Sequence, residues 1–159
     1  MAELMEENVH IGEVKLASKG TRLKALLGSC VGIALMWRQE KLGTLAHCLL
    51  PRGPASMAPT TGRWVDVAIL SSLQLLHATR YDYRYIEAVI AGGGNMLQVC
   101  SDHKPLVGAS NVDVARDTLK KLRISVIEED VGGEVGRRIC LSGATLAYHI
   151  ERIPRSRTP

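Results

Sequence analysis

The amino-acid sequence predicts a mixed fold of the α/β (α+β) class, built from many short strands and two helices. Two stretches repeat apolar residues at helical spacing, whereas the other apolar runs are short and end at glycine, proline or small polar residues. The chain has 159 residues, of which 46% are hydrophobic and 23% charged. This length and composition are typical of one globular domain, so we expect a single domain over residues 1–159.

The first third of the chain is predicted to consist of extended segments separated by turns. Residues 1–8 are expected to be a loose polar start, and imperfect alternation over Val9–Val14 predicts a short first strand. Three apolar segments that follow are expected to be extended: Leu23–Leu27, Val31–Trp37 and Leu42–Leu50. The first two are separated by Gly28-Ser29-Cys30. Antiparallel pairing of the last two would bring residue 30 and residue 47 close together, with the register left open.

Two helices and one buried strand are predicted in the middle of the chain. A breaker-rich loop over Arg52–Gly62 leads into a helix over about Arg63–Ala78, whose apolar face is formed by Val65, Ile69, Leu73 and Leu76. Ile86–Ala91 is predicted to be a buried strand, and residues 97–109 have no clear pattern. The second helix is expected to be capped by Ser110 or Asn111 and to have an apolar face formed by Val112, Ala115, Leu119 and Leu122.

The last quarter of the chain is predicted to be mainly β-structure. Ile124–Ile127 is expected to be a strand. Arg138–Leu141 and Ala144–Ile150 are predicted to form a hairpin around the turn residues Ser142-Gly143. Residues 151–159 contain two prolines and three arginines and are expected to be a loose tail.

Charge and composition exclude several classes of function. The net charge is +4, and the surplus of basic residues gathers near the carboxyl end, at Lys120, Lys121, Arg123, Arg137, Arg138, Arg152, Arg155 and Arg157. No run is dense enough to predict nucleic-acid binding, so we expect a solvated, mildly basic face. The acidic start is unlike a signal peptide and no apolar run is long enough to span a membrane, so a cytoplasmic protein is expected. The four cysteines form no Cys-x-x-Cys pair, and neither a metal nor a cofactor is indicated.

Cys30 and His47 are the candidate catalytic residues. A thiolate is a strong nucleophile, and a histidine can accept the thiol proton and return it to a leaving amine. Gly28 and Ser29 are candidates for an oxyanion-binding turn, and Thr44 is a candidate supporting group. The residues alone leave open that Cys30 is an unreactive core thiol and His47 a hydrogen-bonded core histidine. Cys48 would face away from His47 on a strand and is a poorer candidate.

A glycine run follows the predicted buried strand at Gly92-Gly93-Gly94-Asn95. Such a run can cradle a phosphate, but it lacks the lysine of a P-loop and the spacing of a dinucleotide fingerprint. A tight exit from the strand is the favoured interpretation. The same interpretation is favoured for Gly132-Gly133.

Six motifs in order give the chain a family resemblance. They are Leu27-Gly28-Ser29-Cys30-Val31, Ala46-His47-Cys48-Leu49-Leu50-Pro51, Asp66-Val67-Ala68-Ile69, Gly92-Gly93-Gly94-Asn95-Met96, Val107-Gly108-Ala109-Ser110-Asn111, and Glu129-Asp130-Val131-Gly132-Gly133 with Gly136-Arg137. Over about residues 10–150 the chain resembles the CheD family, which comprises the chemoreceptor glutamine deamidases of chemotaxis. The resemblance implies a β-sandwich-like core flanked by helices, similar to glutamine-deamidating toxins. It also implies that Cys30 is the nucleophile and His47 its base.

The resemblance further implies partners and alternatives. Cytoplasmic domains of chemoreceptors would be the substrates, their glutamines being converted to glutamates through a thioester, and a CheC-type phosphatase is a candidate partner. The family often has threonine six residues before the cysteine, where this chain has Lys24. Gly94 and Ser110 also depart from the common alanine and arginine. The alternatives are therefore a CheD-like module that binds without deamidating, and a general thiol protease or transglutaminase.

Overall fold

The computed structural model describes residues 4–54, 61–96 and 106–154, and these contain nine strands and two α-helices. In chain order they are β1 (Met5–Asn8), β2 (Val14–Leu16), β3 (Thr21–Leu27), β4 (Val31–Trp37), β5 (Leu42–Cys48), α1 (Val65–Leu75), β6 (Glu87–Gly92), α2 (Val107–Lys121), β7 (Ser125–Val131), β8 (Gly136–Ser142) and β9 (Tyr148–Ile153). Short 3₁₀ turns occur at Arg38–Glu40 and Tyr83–Tyr85. The extended segments predicted around β3, β4, β5, β6 and β7, and the helix around α1, are confirmed.

The strands form two sheets. The four-stranded sheet has the order β1-β3-β8-β9, with a parallel β1–β3 pair. The five-stranded sheet has the order β2-β5-β4-β6-β7, with a parallel β6–β7 pair. The chain crosses from the first sheet to the second at Gly28-Ser29-Cys30, which we call the crossover loop. This loop therefore lies where the two sheets meet.

The two sheets and the helices form three layers. Ala34 and Met36 of β4 belong to the core shared with β3 and β8, whereas Ile33 and Leu35 belong to the core shared with α1 and α2. Successive side chains of a strand point to opposite faces, so one strand contributes to both cores. Every residue of β4 is buried, which explains its continuous apolar run. The layered α+β architecture confirms the predicted fold class.

The amino-terminal elements differ from those predicted. Residues 1–8 were expected to be loose, but Met5–Asn8 is a strand because it pairs in parallel with β3. The predicted strand over Val9–Val14 is wrong, since the next strand is Val14–Leu16. Gly12 lies between them with φ of 87°, which interrupts an extended run. Sequence alternation could not detect β1, because its residues are mostly exposed and polar.

The second helix also differs from its prediction. It begins at Val107, with Leu106 at the N-cap position, so Ser110 and Asn111 are not caps. The Ser110 N–H donates to the Leu106 carbonyl at 3.0 Å, as a residue inside a helix does. The breaker-rich loop and the segment without a clear pattern are partly outside the described residues, at 55–60 and 97–105.

The predicted carboxyl-terminal hairpin is present with a longer connection. β8 and β9 pair antiparallel, and residues 143–147 connect them instead of the two-residue turn expected at Ser142-Gly143. β9 extends to Ile153, so the predicted tail from residue 151 begins later than expected. Residues 155–159 are outside the described part. Within 4–54, 61–96 and 106–154, neither helix combines the length and apolar character needed to cross a membrane.

Candidate active site

The crossover loop places Cys30 at the rim of the core between the sheets. Leu27 ends β3 and Val31 begins β4, so the loop spans only the residues between them. Cys30 is 6% exposed and packs with the residues of the inter-sheet core. Burial raises the pKa of the Cys30 thiol above its ordinary value. The thiol is therefore protonated at neutral pH until a base removes its proton.

His47 lies on β5, on the face that also bears Cys30. Its backbone pairs with Gly32 of β4, and Cys30 precedes Gly32 by two residues. Strand alternation therefore directs both side chains toward the four-stranded sheet. The fold thus places Cys30, at the end of the crossover loop, and His47, on β5, on the same side of the five-stranded sheet.

The imidazole of His47 is oriented by a single hydrogen bond. Its Nδ1 lies 2.8 Å from the carbonyl oxygen of Val9, in the segment between β1 and β2. A carbonyl oxygen only accepts, so Nδ1 carries the proton and Nε2 of the neutral ring carries the lone pair. Nε2 is buried and has no hydrogen-bond partner among the described residues. Burial also lowers the pKa of His47, so the ring is neutral at neutral pH and Nε2 can accept a proton.

The glycine run after β6 packs against the crossover loop. The Gly93 N–H donates to the Cys30 carbonyl at 2.8 Å, and the Gly94 N–H donates to the Gly28 carbonyl at 2.9 Å. Gly92 has φ of 99°, and a Cβ atom there would collide with the Cys30 carbonyl. Only glycine tolerates both the backbone conformation and this close approach. The run is therefore the tight exit of β6, as the favoured interpretation predicted, and it also bonds to the crossover loop, which was not predicted.

Thr44 and Cys48 lie on the opposite face of β5 from His47. They share a face with Ala46, because residues two apart on a strand point the same way, and both Ala46 and Cys48 belong to the core under the helices. The hydroxyl of Thr44 is buried without a hydrogen-bond partner among the described residues. Burial strongly raises the pKa of the Cys48 thiol. Thr44 is therefore not brought together with Cys30 and His47, and we do not retain it as a supporting group.

Lys24 bonds to the site through its backbone and pairs with Glu6 through its side chain. The residue also lines, together with His47, a groove of about 510 Å³. Its neighbours Leu23 and Ala25 face the inter-sheet core, so the Lys24 side chain points to the outer face of the four-stranded sheet. There its Nζ lies 2.7 Å from Glu6 Oε2 of β1, and this lysine lowers the pKa of the Glu6 carboxyl. The Lys24 carbonyl accepts a hydrogen bond from the Val9 N–H at 2.8 Å. That bond fixes the segment whose carbonyl orients His47.

One of the basic residues expected on the surface is buried. Arg137 is 2% exposed, and its Nη2 lies 3.2 Å from Asp130 Oδ1. Its Nη1 donates to the carbonyls of Gly132 and Val135 at 2.6 and 2.7 Å. A guanidinium offers several donors in a fixed geometry, which suits a cluster of acceptors at one turn. The expectation of a solvated basic face is therefore wrong for Arg137, which stabilises the turn between β7 and β8.

The roles of two groups at the site were not predicted from the sequence. The orienting group of His47 is a backbone carbonyl, at Val9, which any residue could supply. Asn111 was expected to cap a helix, but it is fully buried and its amide Nδ2 donates to the carbonyls of Ser29 and Leu49 at 3.2 and 3.1 Å. The family motif around Asn111 marked its position, although the residue type alone suggested capping.

Two depressions flank the crossover loop. A cavity of about 240 Å³ is lined by Ser29, Gly94, Asn95, Met96, Leu106, Val107 and Gly108. A larger, open groove of about 680 Å³ is lined by Leu26, Leu27, Gly28, Met96, Gly136, Ile153 and Pro154. A substrate side chain could approach the loop from either side. Among the described residues, no three His, Cys, Asp or Glu side chains are grouped so that they could hold a metal ion.

Comparison with a family sequence model gives one match. The model is that of CheD, described as CheD chemotactic sensory transduction, and it matches residues 49–152. The matched span begins after Cys30 and His47. It includes the glycine run after β6, the whole of α2 and the turn that Arg137 stabilises.

Individual relatives extend the similarity over the candidate site. A protein of Bdellovibrio bacteriovorus named "Probable chemoreceptor glutamine deamidase CheD" is 38% identical over 153 residues, covering 96% of this chain and 97% of that protein. Proteins with the same name are 36% identical in Methanococcus vannielii, covering 84% of this chain and 86% of that protein, and 33% identical in Thermococcus kodakarensis, covering 94% of each. Two different methods of comparison thus agree on one family.

Proposed function

Because this chain belongs to the CheD family, we propose that it deamidates glutamine side chains of chemoreceptors, with Cys30 as nucleophile and His47 as general base. The observation that carries the assignment of roles is the state of His47. Its Nδ1–H is bonded to the Val9 carbonyl, and its Nε2 has no partner among the described residues. A base oriented in this way, on the face that bears a cysteine, suits nucleophilic catalysis.

The first half of the reaction transfers the substrate acyl group to sulfur. Cys30 Sγ attacks the amide carbon of the glutamine side chain while His47 Nε2 takes the thiol proton. Both groups are neutral beforehand, because burial raises the pKa of Cys30 and lowers that of His47. We therefore propose that the proton moves as the attack proceeds. When the C–N bond breaks, His47 returns the proton to the leaving ammonia and a thioester remains.

The second half of the reaction consumes water. His47 Nε2 takes a proton from a water molecule, whose oxygen attacks the thioester carbon. The C–S bond then breaks, the sulfur takes back the proton from His47, and glutamate is released. The net change is one glutamine and one water converted to one glutamate and one ammonia. The Val9 carbonyl assists both halves, since it keeps Nδ1 protonated and aims Nε2 at the reaction.

The crossover loop can supply the oxyanion donors. Among the described residues, the N–H groups of Ser29 and Cys30 take part in none of the turn and loop hydrogen bonds. The carbonyls of Gly28 and Cys30 meanwhile accept hydrogen bonds from the Gly94 and Gly93 N–H groups. Fixed N–H groups that face a developing negative charge lower the barrier of acyl transfer. We assign the oxyanion-binding role to this loop, with Gly28 and Ser29 shaping it.

The chemoreceptor is proposed as the substrate because the relatives are named probable chemoreceptor glutamine deamidases. Each deamidation replaces a neutral side chain with a carboxylate, and the added charge biases the receptor between its signalling states. The substrate glutamine has to be exposed on the cytoplasmic part of the receptor. It would enter through the groove of about 510 Å³ that His47 lines, or through the mostly apolar depressions beside Ser29 and Gly28. A CheC-type phosphatase is a further partner suggested by the family.

Mass spectrometry of the receptor tests the proposed reaction. Wild-type protein is incubated with purified cytoplasmic domains of chemoreceptors, and peptides are searched for glutamines that have become glutamates. Cys30→Ala should abolish the conversion, whereas the matched variant Cys48→Ala should retain it because that thiol lies on the other face of the sheet. Conversion that persists in Cys30→Ala would refute the assignment. Receptor binding by the wild type without conversion would favour a binding module, and peptide cleavage or amine incorporation would favour a protease or transglutaminase.

A further inference from the structure

Asn111 makes contacts that connect the two strands of the candidate site. It lies in the first half of α2 and is 0% exposed. Its Nδ2 donates to the Ser29 carbonyl at 3.2 Å and to the Leu49 carbonyl at 3.1 Å. Ser29 directly precedes Cys30, and Leu49 follows His47 by two residues. One amide group therefore bonds to the backbone beside the nucleophile and to the backbone beside the base.

These two carbonyls lie just beyond the regular pairing of β4 with β5. The ladder of this pair ends at Val31 and Cys48, so Cys30 and Leu49 are the first positions outside it. Without a ladder bond, the separation between the crossover loop and the end of β5 is not fixed by the sheet. The Asn111 amide on α2 bridges this gap, because its two N–H groups donate to the Ser29 and Leu49 carbonyls. The helix layer thus connects two segments that the sheet leaves unpaired.

Burial of the Asn111 side-chain amide is destabilising unless the amide is hydrogen-bonded. Asn111 is fully buried, and its Oδ1 has no partner among the described residues. A buried polar atom without a hydrogen bond is destabilising, so an apolar side chain of similar size would suit the packing of α2 better. Valine and alanine neighbours on the same helix, Val112 and Ala115, fill the core in that ordinary way. The amide is therefore explained by the two carbonyls to which it donates.

We propose that Asn111 is a positioning residue that keeps Cys30 in place relative to His47. This proposal rests on the proposed function, in which Cys30 is the nucleophile and His47 the base. Asn111 does not touch the substrate, because it has no exposed surface. It acts through Ser29 and Leu49, and small displacements of reacting groups reduce rates strongly.

The main variant is Asn111→Leu, which keeps the approximate volume and removes both donors. We expect its kcat for receptor deamidation to fall on the order of 10²-fold, as a displacement of about 1 Å produces, with a smaller change in KM. The matched control is Ser72→Ala, which removes a fully buried hydroxyl bonded to the Ala68 carbonyl of α1, away from Cys30. Both variants are assayed under conditions in which urea titration finds them folded. Ser72→Ala should keep the wild-type kcat.

A second measurement does not depend on the receptor. The rate of alkylation of Cys30 by iodoacetamide is followed against pH by peptide mapping, in wild type, His47→Gln and Asn111→Leu. Wild type should have an inflection that His47→Gln lacks, because the neutral imidazole assists removal of the thiol proton. Asn111→Leu should also lose this inflection while remaining folded. A general loss of stability would not remove it from the folded fraction.

The outcomes separate this proposal from the proposed function. If no receptor is deamidated but the inflection depends on both His47 and Asn111, the positioning role stands and the substrate is wrong. A folded Asn111→Leu with wild-type kcat, or with the inflection intact, overturns the positioning role alone. A wild-type profile without a His47-dependent inflection contradicts the pairing of Cys30 with His47, and the positioning role falls with it.

Discussion

Cys30 and Cys48 are close in the fold, yet they belong to different cores: Cys30 ends the crossover loop, and Cys48 is the last residue of β5. Cys48 pairs with Val31, the residue next to Cys30, and follows His47 directly in the chain. Cys30 is in the core between the sheets, on the face of His47, whereas Cys48 is in the core under the helices with no exposed surface. The face of the sheet, and not proximity in sequence to His47, therefore distinguishes the environments of the two thiols.

Thiol labelling should separate the two cysteines by the largest factor. In the folded protein we expect Cys30 to be alkylated at least about 10³-fold faster than Cys48, because Cys48 reacts only when the fold opens. The rates are measured by quenched labelling and peptide mapping. In concentrated urea both thiols should react at similar rates, which is the control. Comparable labelling in the folded protein would mean that the two cores do not differ in access.

Replacing the base should have the next largest effect. In His47→Gln the side-chain amide can still donate to the Val9 carbonyl, but no group remains to take the thiol proton. We expect kcat for deamidation to fall about 10²-fold or more, as loss of a general base does. His149→Gln is the matched control, since His149 is exposed on β9, in the other sheet. An unchanged rate in His47→Gln would remove His47 from the mechanism.

The pH dependence of the wild-type deamidation rate also tests the role of His47 as the base. Burial lowers the pKa of His47, so the ring stays neutral to a lower pH than an ordinary histidine, whose pKa is about 6.5. The rate should therefore fall on acidification with a midpoint below that value, as protonation of Nε2 removes the base. A midpoint above it would mean that a nearby negative charge, and not burial, governs His47.

The sequence pattern predicted where most strands and helices lie, but it did not predict which of them are neighbours in the fold. The apolar runs of β3, β4 and β5 are bounded by turn residues, so their positions followed from the sequence. The change of sheet at the crossover loop did not follow, because pairing partners are distant in the chain and register depends on packing. β1 was missed since it is an exposed, polar edge strand that exists through its pairing with β3.

At the candidate site, too, residue types could be identified from the sequence, but their surroundings in the fold could not. Cys30 and His47 were selected by their chemistry and by a family resemblance. The Val9 carbonyl carries no signal, since every residue has one. Asn111 was expected at a helix cap because of its type, and only the packing of α2 on the crossover loop reveals its bonds to Ser29 and Leu49.

Substitution of Lys24 is expected to have the smallest effect on kcat. It tests directly whether the face of the sheet on which a side chain lies decides its role. The family often has threonine at this position, which suggests that restoring it would increase activity. The Lys24 side chain, however, lies on the outer face of the four-stranded sheet beside Glu6, while its carbonyl bonds to the Val9 N–H in any variant. We therefore expect Lys24→Thr to change kcat by less than about threefold, since the substitution leaves this backbone bond in place and loss of an exposed ion pair costs the fold little stability. Glu6→Gln, which breaks the same pair from the other strand, is the control and should behave alike. A tenfold gain in Lys24→Thr alone would mean that a side chain at this position reaches His47 from the outer face.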